Sequence, residues 1–394
     1  MKFVVIGAGM MGRAIAFDLA RSKGVERVTL ADIDADVLRR VQHWIQSPKV
    51  EIVELHADDF TRVVETMSAH ECAIGAVSYQ NNVQLTKAAI AARVHFCDLG
   101  GNDDVIRRQR SMNDEAAALN LSIVPNCGLA PGLANVVAAR EAEEFEQLDS
   151  IRIRVGGLPQ HPKEPFNYQL VFSVEGLVNE YSGKARVLRD FAVDEVDALS
   201  GIEEIEFPPP LGMLEAFHTS GGASYLPEMF AGKARSLDYK TIRYAGHCER
   251  FRTLLEVGFA SDEPYRFGSG VATAREIFHE LLKKRLSGND FDLVVARIEV
   301  AGVRRGVAGI LRNDIVDYFD ANHNISAMMR TTAFPTSLIA QYIVGGRCRE
   351  VGVKTPEQFV PLEPLTSDLA ERGINVRNQW LQRVSQIQDR LPRG

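Results

Sequence analysis

The chain has 394 residues, 45% hydrophobic and 25% charged, with a net charge of −7; that length exceeds one typical core, so two domains are expected. An acidic balance with no basic block argues against a nucleic-acid partner, and the lack of any apolar run near ~20 residues argues against a membrane span. Five scattered cysteines (Cys72, Cys97, Cys127, Cys248 and Cys348) form no C-x-x-C pair, which points to free thiols in a reducing cytoplasm and to no zinc or other metal site.

The chain opens on a strand-like run with no charged leader or cleavage site, as expected of a cytoplasmic protein. Lys2–Ile6 is a short β-branched stretch of buried-strand length. Gly7, Gly9 and Gly12 follow in G-x-G-x-x-G spacing, and Met10–Arg21 reads as a helix with an apolar face. Gly7 allows the tight turn, Gly9 lets a pyrophosphate approach the backbone, and Gly12 lets the helix sit close on the sheet. The free N–H groups of the first helical turn, where Met10 and Met11 lie, would receive that anion. Residues 27–31 read as the second strand, ending at Asp32, 20 residues after Gly12. A carboxylate there meets the adenosine ribose hydroxyls and repels a 2′-phosphate, so NAD is the expected cofactor. Asp34 reads as the N-cap of the next helix.

Strand and helix patterns keep alternating: helix 34–46, strand 50–55, helix 59–69, strand 72–77, helix 83–93, strand 95–98, helix 103–119 and strand 122–125. This predicts a doubly wound parallel sheet, a Rossmann domain over residues 1–130. Ligands of such sheets bind beyond the carboxyl ends of the strands. The turns at those ends make Ser78, Tyr79, Asp98, Gly100 and Asn126 further cofactor-contact candidates. In "GLAPGLANVV", Pro131 suits the first position of a helix.

The character changes near residue 148. "SIRIRVGG" alternates strictly, and "YQLVFS", "EAFHTS", "LDYKTIRYAG", "LVVARIEVAG" and "GVAGILRNDIVDYFD" are strand-like. Helical patterns intervene at 174–181, 248–259 and 272–286. An α+β substrate domain with a mostly antiparallel sheet is expected over 131–330. From Thr331 the pattern is helical again, with Pro335 as a break or an early-helix position. Segment 331–394 is expected to return to the first domain.

Two stretches carry candidate chemistry. "EAFHTSGG" holds His218, Thr219, Ser220 and Gly221, polar groups on a strand running into a flexible turn that can line a cleft. In "YKTIRYAGH", Tyr239, Thr241 and Arg243 share one strand face and Lys240 shares the other with Ile242. Arg243 can clamp a substrate carboxylate bidentately, with Thr219, Ser220 and Gly221 beside it. His218 or Lys240 is the candidate proton acceptor, and Tyr239 and Thr241 complete the catalytic set.

The segments "VIGAGMMGRAIAFDLA", "DLGG", "GLAPGLAN", "VGGLP", "VFSVEGLVNEY", "LEAFHTSGGAS", "YKTIRYAGH" and "RTTAFPTSLIAQ" together resemble the saccharopine dehydrogenase-like family. "EAFHTSGG" and "YKTIRY-x-GH" resemble its lysine 6-dehydrogenase branch. The resemblance implies a Rossmann domain, a substrate domain, a returning C-terminal segment and a homodimer or homotetramer. It also implies NAD-dependent oxidation of a lysine-like side-chain amine to an imine, which water converts to a semialdehyde. The alternatives are a saccharopine-type reductive condensation and a non-catalytic NAD-binding protein.

Overall fold

The computed structural model describes residues 1–382 apart from Ser269 and Asn289. Strands β1 (Lys2–Ile6), β2 (Arg27–Asp32), β3 (Val50–Glu54), β4 (Cys72–Gly75), β5 (His95–Asp98) and β6 (Ser122–Val124) form a parallel sheet in the order β6-β5-β4-β1-β2-β3. Apart from the edge strand β3, their short apolar runs are buried on both faces, as a sheet covered on both sides requires. The crossovers are α1 (Met10–Arg21), α2 (Ala35–Ile45), α3 (Phe60–Ser68) and α4 (Asn82–Ala92), followed by α5 (Asp103–Arg110) and α6 (Asn113–Ala118). The strand order reverses between β1 and β4, so the crevice beyond their carboxyl ends is the topological switch point. The helix expected over 103–119 is two helices, because the chain turns at Ser111, whose hydroxyl bonds back to the Arg108 carbonyl (2.7 Å).

Next comes α7 (Leu133–Ala142), which begins two residues later than the Pro131 start expected from the sequence. Gly132 is the reason: it takes φ +139° as the N-cap, a conformation closed to other residues, and its N–H donates to Asn135 Oδ1 (2.9 Å).

The second sheet is built from β7 (Gln147–Pro159), β8 (Lys184–Arg189), β9 (Ala192–Asp197), β10 (Glu203–Phe207), β11 (Gly212–His218) and β12 (Ala234–Arg243). A separate hairpin, β13 (Pro264–Phe267) and β14 (Gly270–Thr273), precedes the long pair β15 (Asp292–Arg304) and β16 (Val307–Tyr318). Interleaved helices are α8 (Val174–Glu180), α9 (Leu226–Phe230), α10 (His247–Glu256) and α11 (Ala274–Leu286). The chain ends its described course with α12 (Ala327–Val344), β17 (Gly352–Val353), α13 (Leu362–Ala370) and β18 (Arg377–Gln382). The sheet runs β10-β11-β12-β7-β15-β16-β18, antiparallel except for the parallel pair β12–β7. Residues 168–173, which read as strand-like, are irregular. Their backbone bonds the end of α11 (Leu170 N–H to Leu286 O, 2.9 Å), and Tyr168 packs into an aromatic cluster with Phe251 and Phe278.

The segment after residue 331 joins both sheets. α12 runs through Pro335 without a break and packs against α1, β5 and β15. β17 pairs in parallel with β6, and β18 pairs with β16. One continuous core therefore spans both sheets, with Ile15, Val137, Ile298 and Leu338 among its members. The molecule is an α/β Rossmann domain joined to an α+β domain. No helix of the described residues is long and apolar enough to cross a membrane.

Candidate active site

The glycine turn after β1 has the geometry a dinucleotide needs. Gly7 has φ +105°, and a Cβ there would lie 2.5 Å from the Ala76 carbonyl oxygen. A Cβ on Gly12 would collide with the Gly7 carbonyl, whereas one on Gly9 would meet nothing within 4 Å. Open space therefore lies in front of α1, whose N-terminal N–H groups have no side-chain cap. Asp32 ends β2 beside this turn: its Oδ2 accepts from Ala8 N–H (2.6 Å) and its Oδ1 from Asp34 N–H (3.0 Å). Asp34 caps α2 through Asp36 and Val37 N–H, leaving Asp32 free of that task. A nicotinamide dinucleotide fits these residues: anion-binding N–H groups, room for the pyrophosphate, and a carboxylate for the ribose.

From this turn a cavity of about 440 Å³ opens between the two sheets. Met10, Met11, Ser78, Tyr79 and Gly100 border it on the Rossmann side. On the other side stand Tyr239, Thr241 and Arg243 of β12, with Glu180 at the end of α8. The two-residue period of β12 brings those three side chains to one face. Arg243 is only 2% exposed. Its Nε donates to Tyr181 Oη (2.9 Å), one Nη donates to Ile242 O (2.9 Å), and its guanidinium lies 4.7 Å from the Tyr168 ring centroid.

The polarity of the bonds behind Arg243 is determined. His247 Nδ1 lies 2.8 Å from the Phe166 carbonyl, which can only accept, so Nδ1 carries the hydrogen. His247 Nε2 then accepts from the Tyr181 hydroxyl (2.9 Å), and the Tyr181 oxygen accepts from Arg243. This chain requires a neutral His247, and burial together with the Arg243 charge pushes that imidazole down to about 3.

Nothing in the sequence marks Glu180, which reads as part of the last turn of a helix in "VEGLVNEY". Burial pushes its carboxyl up to about 7, while the Arg243 charge pulls the other way. Burial likewise pushes the Tyr239 phenol up. Thr241 Oγ1 lies 2.7 Å from Thr219 Oγ1, so Thr219 sits behind Thr241 and supports it.

Several candidates lie elsewhere. His218 and Lys240 pair across β11–β12 on the opposite face of the sheet and do not border the cavity. If Tyr239, Thr241 and Arg243 face the cavity, the strand period turns Lys240 away. Lys240 Nζ donates to Gly201 O (2.6 Å) and Glu203 Oε2 (3.0 Å), in a network where Arg154 also binds Glu203 and Asp238. His218 Nδ1 is 3.3 Å from Tyr239 O in the same layer, and burial lowers its basicity. Asp98 is fully buried and shapes the turn, accepting from Gly100 N–H (2.7 Å) and Gln109 Nε2 (2.6 Å), with burial pushing it up to about 6. Asn126, also buried, donates to Ser224 Oγ (2.8 Å) beside an adjoining cavity of about 810 Å³. Ser220 and Gly221 line that second cavity, and Gly101 borders both. No group of three or more His, Cys, Asp or Glu among the described residues is arranged to hold a metal ion.

Residues 3–124 match the saccharopine dehydrogenase NADP binding domain, and residues 128–374 match the saccharopine dehydrogenase C-terminal domain. The carboxyaminopropylagmatine dehydrogenase of Synechocystis sp. is 22% identical over 405 residues, covering 95% of this chain and 96% of that protein. The mitochondrial alpha-aminoadipic semialdehyde synthase of Mus musculus is 20% identical across 96% of this chain, which spans only 48% of its length. The fold is similar to that of saccharopine dehydrogenase (L-Glu forming) from Saccharomyces cerevisiae, with a TM-score of 0.78 at 16% identity over 96% of this chain and 99% of that one. The two matched domains together cover the first sheet, all of the second but its edge strand β18, and the residues lining the cavity between them, and the chain belongs to the saccharopine dehydrogenase family, as an oxidoreductase with a nicotinamide dinucleotide-binding first domain.

Proposed function

We propose that the chain is an NAD-dependent dehydrogenase acting on the side-chain amine of an amino acid, with L-lysine and its 6-semialdehyde as the leading pair. The observation that carries this reading is a buried arginine, Arg243, facing the glycine turn across one cavity. A bound nicotinamide supplies the two-electron hydride acceptor for such an oxidation. The α1 N-terminus and Gly9 would hold its pyrophosphate, and Asp32 the adenosine ribose. The choice of NAD over NADP rests on the Asp32 carboxylate, which disfavours a 2′-phosphate.

Arg243 would bind the substrate carboxylate with the guanidinium edge that its internal bonds leave free. Because Tyr181 and Ile242 already hold the side chain, little rotamer freedom is lost on binding. Tyr239 and Thr241 would wall the reacting amine from water. Mixing protein, NAD and a panel of amino acids while following NADH absorbance tests the reading.

A second reading is a reductive condensation of an amine with a 2-oxo acid. Two features favour it: the adjoining cavity beyond Gly101 offers room for a second substrate arm, and a full-length relative is named for a dehydrogenase of a carboxyaminopropyl compound. Oxidation of reduced cofactor only when amine and oxo acid are both present would select it.

A further inference from the structure

We propose that Glu180 is the proton acceptor of this site, its carboxylate taking a proton from the substrate's ammonium group so that the amine nitrogen is neutral when oxidation begins. This role rests on the amine-oxidising reading above. In the step itself one N–H bond breaks and one carboxyl O–H bond forms. The ammonium becomes an amine with a free lone pair, the carboxylate becomes a carboxylic acid, and nothing is oxidised or reduced.

Geometry singles out Glu180. It is the last residue of α8, on the cavity wall with Tyr239, Thr241 and Arg243. Its chain neighbour Tyr181 is the residue whose hydroxyl holds Arg243, so substrate clamp and proton acceptor are anchored at one helix end. Tyr79 borders the cavity from the Rossmann side, and the remaining groups are committed or unsuited. His218 and Lys240 lie on the far face of the sheet. His247 has both ring nitrogens engaged, by Phe166 and Tyr181. Arginine does not deprotonate, and the Tyr239 phenol is pushed further from neutrality by burial. Glu175, in the first turn of α8, accepts from Gln80 Nε2 (2.6 Å).

The charged and titratable groups facing Glu180 are Arg243 and Tyr239 from β12, Tyr168 from the loop before α8, and Tyr181 beside it. Of these only Arg243 carries charge near neutrality, and its attraction opposes the burial that pushes Glu180 up to about 7. A carboxyl at that position in the pH scale accepts a proton from an ammonium far better than an ordinary glutamate, and releases it again to solvent.

The test uses the full chain with Glu180→Gln and Glu180→Asp. With the amine that wild type oxidises best, Glu180→Gln should lower kcat by roughly 100- to 10,000-fold. It should also abolish the acid limb of the kcat/KM profile that this role predicts for wild type near about 7. Glu180→Asp should restore part of the turnover with the limb moved to lower pH. Independently of activity, NADH titrated by fluorescence should bind both variants as it binds wild type. Infrared difference spectra across about pH 7 should show a protonated carboxyl band that Glu180→Gln lacks. Wild-type turnover and an unaltered acid limb in Glu180→Gln would overturn the role. A wild-type protein that reduces no nicotinamide with any amine would overturn the reading of function itself, and this role with it.

Discussion

Arg243 and Lys240 are three residues apart on one strand and have opposite fates. Arg243 faces the cavity with its Nε tied to Tyr181; Lys240 faces away and is tied to Glu203 and the Gly201 carbonyl. Arg243→Ala should therefore raise KM for the amino acid and leave NADH affinity nearly unchanged, since it removes binding common to ground and transition states. Arg243→Lys should not rescue it, because an ammonium cannot replace the planar fork. Steady-state kinetics beside NADH titration check both. Asp32→Ala should relax the preference for NADH over NADPH by about 1.5–3 kcal/mol, the worth of a charged hydrogen bond, in a fluorescence titration with each nucleotide. Glu180 makes a stability prediction with a definite sign. Its folded value is raised, so the stability it allows is present in acid and is lost as pH rises through about 7. Glu180→Gln should accordingly melt higher than wild type in alkaline buffer and at the same temperature as wild type in acid.

At the scale of elements, the turn between β1 and α1 and the layer beneath β12 do separate jobs. Gly9→Val fills the open space before α1 and should abolish cofactor binding while the second sheet stays folded, as NADH titration and circular dichroism would show. The Arg154–Glu203–Lys240–Asp238 layer is a half-buried ion network. Burial alone would raise Glu203, but Arg154 and Lys240 outweigh it and hold the carboxyl down to about 2. Its folded value is depressed, so its stabilisation is present above the ordinary carboxylate range and is lost as pH falls from there toward about 2. Glu203→Gln should cost about 3 kcal/mol in denaturant unfolding, because it leaves Arg152, Arg154 and Lys240 each short of a partner. His218→Ala, beside the same layer, should change stability and leave the pH profile of turnover alone.

What the whole molecule adds is the pairing of faces. The glycine turn, Asp32 and the alternation through residue 124 are local patterns, each fixed by spacing within one β-α unit, and the Rossmann sheet follows from them. The cavity is not local. The sequence separates the two faces of β12, yet which face meets the glycine turn depends on how α7 and α12 join the sheets, and short-range patterns carry no trace of that. His218 and Lys240 have residue types suited to proton transfer, and the fold places them in a structural network instead. Glu180 is marked in the sequence only as a residue near the end of a helix, and the Tyr168, Tyr181 and Arg243 side chains that surround it come from segments distant in the chain or from the fold around it. Strands such as β9, with five of its six residues exposed and mostly charged, show no alternation to read. The apolar stretch 168–173 has the composition of a strand but buries against helices and not in a sheet.

The most direct measurement is the stoichiometry of NADH and ammonia formed when the protein, NAD and L-lysine or another side-chain amine are combined. The account predicts that one ammonia appears with each NADH, that NADP serves less well, and that Arg243→Ala needs far more amine for the same rate. No reduction of either nicotinamide nucleotide by any amine, and no oxidation of NADH with amine plus 2-oxo acid, would contradict it.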